Sequence, residues 1–98
     1  MHMVRLDQRY QKTPSIVSRE IAGEVILVPI RQNLGDLGSI YTLNETAALA
    51  WSLLDGEHTL EQICEQIVME YAVTSEEAER DLKELVEQLC EIEAVSVV

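Results

Sequence analysis

The residues able to do chemistry in this 98-residue chain are few and scattered. Cys64 and Cys90 form no CxxC pair, and only His2 and His58 could join them as soft ligands. That spacing does not build a tetrahedral metal site. Each cysteine falls in or beside an apolar helical stripe, where a free thiol behaves as a small buried hydrophobe. The six serines sit in no G-x-S-x-G context, so a nucleophile elbow is absent from the sequence. Gly35 and Gly38 lack the lysine and helix that complete a phosphate loop. His58 stands alone at a helix start. Carboxylates are dense at Glu76-Glu77-Glu79-Asp81 and at Glu84 with Glu87, but acid/base work needs carboxylates held apart in pKa inside a cleft. A crowded acidic face is ordinarily solvated. Asp81 differs because it precedes Leu82 at the edge of an apolar stripe, from which it could bond a neighbouring element.

With catalysis unsupported, charge and edges carry the reading. Residues 1–31 hold five bases and three acids, whereas residues 32–98 hold two bases, Arg80 and Lys83, and fifteen acids. The formal net charge of −11 repels phosphate backbones and anionic lipid. No apolar run reaches the ~20 residues that span a bilayer, and residues 1–14 lack a signal-peptide core, so a cytoplasmic protein is expected. Apolar residues make up 47% of the chain, enough for one modest domain.

The elements follow from periodicity and caps. Residues 1–14 show no pattern and read as a flexible tail, with one domain over 15–98. Ile16–Ile21 and Val25–Val28 flank Ala22-Gly23 as a hairpin. Residues 34–38 read as a loop, and Ser39–Leu43 as a third strand. Asn44, or Thr42 with Glu45, caps a first helix that ends near Asp55-Gly56. Thr59 with Gln62 forms a capping box for a second helix, whose stripe is Leu60, Ile63, Cys64, Ile67, Val68 and Tyr71. Thr74 with Glu77, or Ser75, starts a third, with stripe Ala78, Leu82, Leu85, Val86, Leu89 and Ile92. Residues 94–98 read as a short closing strand. The order β-β-β-α-α-α predicts an α+β domain, winged-helix-like, with a three-stranded antiparallel sheet followed by three helices.

A sheet this small has open edges, and an open edge can accept an extended peptide as an added strand. Residues 39–43 are the candidate edge, with the third helix as the adjoining wall.

Leu43-Asn44, Thr46-Ala47, Ala50-Trp51 and Leu54-Asp55-Gly56 resemble the central signature of the PqqD-like proteins (coenzyme PQQ synthesis protein D). Thr59, Ile63 and Tyr71 resemble the positions that follow it, and Asp81-Leu82 with Leu85 and Leu89 its closing helix. The resemblance covers about residues 16–93. Ala50 stands where the family has Ile or a similar residue, and Val86 or a neighbour replaces an aromatic in the last helix. The resemblance implies a recognition element for ribosomally made, later modified peptides. Such an element holds the precursor's leader beside the third strand and presents it to a modifying enzyme, a radical S-adenosylmethionine enzyme in pyrroloquinoline-quinone biosynthesis. It implies no catalysis and no cofactor of its own.

The expected peptide-binding residues are Ser39, Ile40, Tyr41, Thr42, Leu43, Arg80, Leu82, Lys83 and Val86, with Leu85 and Leu89 divided between core and groove. Arg80 and Lys83 would steer an acidic leader, and the acidic surface a basic one. An open edge also allows a homodimer through strand exchange. A winged-helix DNA-binding regulator is the main alternative, but it needs a basic recognition helix, and the second helix has no Lys or Arg. A structural adaptor that docks on an enzyme without peptide is the other.

Overall fold

The computed structural model describes residues 4–29 and 41–98. The first hairpin forms where β-branched residues flank a two-residue turn. Strands β2 (Ile16–Ile21) and β3 (Glu24–Pro29) pair antiparallel from Ile16↔Pro29 to Ile21↔Glu24. Ala22 and Gly23 both take positive φ, +52° and +84°, the conformation of a two-residue turn whose twist matches the strands it joins. Strand β4 (Tyr41–Leu43) adds to β3 with Leu27↔Tyr41 and Val25↔Leu43. Residues paired across strands share a face, so Leu27, Tyr41 and Leu43 point together into the core. Thr42, Ile26, Val28 and Val17 lie on the opposite face.

The three helices start where the caps predict. Asn44 Oδ1 accepts from the Ala47 amide at 2.8 Å and opens α1 (Glu45–Leu53). Thr59 and Gln62 exchange side-chain-to-backbone bonds at 3.2 and 2.9 Å, completing the capping box of α2 (Leu60–Glu70). Thr74 accepts from the Glu77 amide at the start of α3 (Ser75–Glu91). Leu60, Ile63, Cys64 and Ile67 of α2 and Ala78, Leu82, Val86 and Leu89 of α3 are buried. They join Leu27, Leu43, Trp51 and Leu54 in one core. Sheet β2-β3-β4 followed by three helices is the expected α+β arrangement.

Two further strands depart from the sequence reading. Within residues 1–14, expected to be a tail, lies β1 (Arg9–Lys12), the middle strand of a second three-stranded sheet. Its partners are β5 (Asp55–Thr59) and the expected closing strand, β6 (Val95–Val97). Only Tyr10 in β1 is buried, at 4% exposure. Backbone bonding on both edges, rather than apolar alternation, holds the strand. The bonds continue beyond the strand itself: Leu60 N donates to Gln8 O, Glu61 N to Leu6 O, and Thr13 N to Ala94 O. Val4 is buried as well, so residues 4–14 belong to the folded domain rather than to a tail.

Strand β5 replaces the simple helix stop expected at Asp55-Gly56. Gly56 does take positive φ, +83°, but within the strand. A Cβ there would lie 3.5 Å from Gln11 and Val98 side-chain atoms. Asp55 organises this turn: its Oδ1 accepts from the Glu57 amide at 2.9 Å and the His58 amide at 3.1 Å, while Oδ2 meets His58 Nδ1 at 2.9 Å. The Glu57 bond first, then the His58 side-chain and backbone bonds, hold its carboxyl well below the usual carboxylate range. Lys12 bridges β1 to α1. Its Nζ sits 5.0 Å from the Trp51 ring centroid and donates to Leu54 O at 3.2 Å.

Candidate functional site

Strand β4 lies at the end of its sheet, and among the described residues only β3 pairs with it. Its outer side faces α3 across a groove of about 410 Å³. Tyr41, Thr42, Leu43, Asn44, Thr46 and Ala47 line one side, Val73 and α3 residues from Ala78 to Leu89 the other, and Ile67 of α2 also contributes. The α3 wall is one helical face. Ala78, Leu82, Leu85 and Leu89 recur at spacings of three and four and supply the apolar surface. Asp81, Glu84 and Gln88 recur likewise and supply a polar margin. Asn44 fixes the junction of β4 and α1, since its Oδ1 also accepts from Thr46 Oγ1 at 3.0 Å.

The structure brings together Tyr41, Thr42, Leu43 and Leu82 of the expected site, with Leu85 and Leu89. Ser39 and Ile40 lie outside the described residues. Val86 is absent from the groove lining and is fully buried, at 0% exposure. It follows Leu85 by one residue, and the 100° turn of the helix carries it to the core side.

Arg80 and Lys83 are also absent from the lining. Arg80 Nε pairs with Asp81 Oδ1 at 3.5 Å in solvent. Lys83 Nζ meets Glu79 Oε2 at 3.2 Å on the flank where both charges act on Cys64 of α2. Asp81 sits on the rim with its side chain about two-thirds exposed. The sequence reading missed Glu84, Gln88, Asn44, Thr46, Ala47 and Val73 as lining residues. Stepping three or four positions from Asp81 and Leu85 along α3 would have found the first two.

The soft nucleophiles lie elsewhere. Burial pushes the Cys64 thiol up to about 11, with Glu79 adding to the effect. Burial, then Glu87, raises Cys90. Both therefore stay protonated and weakly nucleophilic near neutrality. Among the described residues no cluster of three His, Cys, Asp or Glu side chains could hold a metal ion. No helix there is long and apolar enough to cross a membrane.

An α+β domain with a β-hairpin, three helices and a strand edge facing a groove is a winged-helix-like binding module. Its lineage follows from its relatives. The family described as coenzyme PQQ synthesis protein D (PqqD) matches residues 24–95, and the chain belongs to that family. Two solved structures share the fold. One is TbiB1 in complex with the TbiA(beta) leader peptide, 28% identical, with a TM-score of 0.72 over 88% of this chain and 94% of that one. The other is a lasso peptide synthetase B1 complexed with the leader peptide, 27% identical, with a TM-score of 0.72 over 90% of this chain and 98% of that one. No curated protein matches.

Proposed function

We propose that this chain is a non-catalytic recognition element that holds the leader of a precursor peptide as an added strand on β4, against α3, and presents it to a modifying enzyme. The observation that carries this reading is the juxtaposition of a strand edge with an apolar helix face across a groove. Main-chain groups along Tyr41–Leu43 supply sequence-tolerant affinity, and Leu82, Leu85 and Leu89 supply the pocket that selects side chains. The two relatives solved with leader peptides support the same use here. Membership of the PQQ synthesis protein D family supports a radical S-adenosylmethionine enzyme as the partner. Duplex DNA fits poorly, because α2 carries no base and both bases of α3 face carboxylates.

The test is a titration of isotope-labelled protein with synthetic leaders encoded beside this gene. Amide resonances of Tyr41–Leu43 and of the 81–89 stretch of α3 should shift together. Shifts confined to the β5-β1-β6 sheet would place the peptide elsewhere and defeat the reading.

A further inference from the structure

The groove's charge restricts what sequence can occupy it, an inference that rests on strand capture at β4. Asp81 and Glu84 are the ionised groups among the described lining residues, and both described bases of α3 lie outside the lining. The Arg80–Asp81 pair is 3.5 Å long and about two-thirds exposed at both ends, so it holds Asp81 only weakly. Below this rim the wall turns apolar at Leu82, Leu85 and Leu89. The acidic excess of the whole chain, −11 net, adds a field of the same sign.

Spacing converts this into a pattern. A guest paired to β4 points alternate side chains to the face of Tyr41 and Leu43, hence into the groove, and the others to the Thr42 face. Neighbouring groove-facing guest positions lie about 6.7 Å apart. Along α3, Asp81 and Glu84 are separated by about 4.5 Å of rise, so one guest side chain can meet both carboxylates. For a guest running along α3, the next groove-facing position falls about four to five helix residues on, level with Leu85 and Leu89.

We infer that the guest strand carries a lysine or arginine at one groove-facing position, held between Asp81 and Glu84, and an apolar residue two positions away against Leu85 and Leu89.

The experiment uses the full chain and three sets of labelled dodecapeptides. Each set is a Thr/Val strand in which a Lys-Thr-Leu, Gln-Thr-Leu or Glu-Thr-Leu triplet, in both orientations, is moved along the peptide. Binding is read by fluorescence anisotropy, and the position by β4 amide shifts. The lysine set should bind up to about fivefold tighter than the glutamine set, as one near-surface charge pair allows, with the glutamate set weakest. The order should collapse in Asp81→Asn/Glu84→Gln and in 0.5 M salt. It should persist in Glu61→Gln/Glu65→Gln, which removes the same charge from α2, outside the groove. Equal affinities for the three sets, with β4 amides still shifting, overturn the charge pattern and leave strand capture standing. An order abolished equally by the α2 variant reduces the effect to net charge and also overturns it. If no peptide of any set moves the β4 amides, strand capture fails and the pattern with it.

Discussion

Leu85 and Val86 are adjacent in sequence and opposite in role, so truncating each in turn separates the groove from the core. Leu85 is partly exposed on the groove wall and Val86 is fully buried. Leu85→Ala removes three carbon groups, worth about 0.8 kcal/mol each when fully covered. Taking about half of that surface as left for the guest, the variant should lose about 1.2 kcal/mol of binding, or about eightfold in Kd. The half already covered by the protein should cost a similar amount of stability, about 5–10 °C in Tm for a domain of this size. Val86→Ala should instead cost about 2–3 kcal/mol of stability, because it opens a cavity among Leu82, Leu89 and their neighbours, and Tm should fall by about 10–20 °C. Its folded fraction should bind with unchanged affinity. Calorimetric melts give the stabilities, and anisotropy titration with a leader that shifts the β4 amides gives the affinities, both at a temperature where each variant is folded. Unchanged affinity in Leu85→Ala together with weakened affinity in folded Val86→Ala would refute the placement of the groove.

Tyr10→Ala should destabilise the domain by about 3–5 kcal/mol, as for other buried aromatic truncations, because Tyr10 is the buried side chain of the central strand β1; a denaturant midpoint equal to wild type would restore residues 1–14 to a dispensable tail. The Asp55 carboxyl is held below its unfolded value, chiefly by the Glu57 amide and then by His58. Its contribution to stability is therefore complete above about pH 4 and is lost as pH falls below that value toward the folded pKa. The gap in Tm between wild type and Asp55→Asn should narrow on acidification from pH 5 to pH 2, and a gap constant over that range would show that Asp55 is not linked to folding.

Local chemistry was readable along the chain. Asn44, Thr59 with Gln62, and Thr74 each cap the helix they announce, because a cap is decided within four residues. The Ala22-Gly23 turn was equally legible. Strands β1 and β5 were not, since RYQK holds one buried residue and DGEHT holds no apolar residue at all. What makes them strands is pairing between segments more than 40 residues apart, Arg9 with Thr59 and Tyr10 with Val97. Gly56 shows how one local signal admits two outcomes: its positive φ suits a helix terminus, and here it serves a strand packed against Gln11 and Val98. The site was half legible for the same reason. Parity placed Tyr41 and Leu43 on one face, and period placed Leu82, Leu85 and Leu89 on one stripe. But a stripe as wide as that of α3 touches two surfaces, and only the position of β4 decides that Leu85 faces the groove while Val86 faces the core. Arg80 and Lys83 lie about 140° and 160° around the helix from the groove-facing Leu85, whereas Asp81, Glu84 and Gln88 lie within about 100° of it, so the geometry of α3 sets the two bases apart from the lining.

An open strand edge exposes a protein to its own copies as much as to a guest. Among the described residues β4 spans Tyr41–Leu43. Two copies meeting edge to edge would bring the Asp81–Glu84 rim of each, and a net charge of −11 on each, toward one another. A guest strand with a basic side chain relieves that repulsion, whereas a second copy compounds it. If the acidic rim selects the guest as proposed, the same charge disfavours pairing of β4 with a second copy.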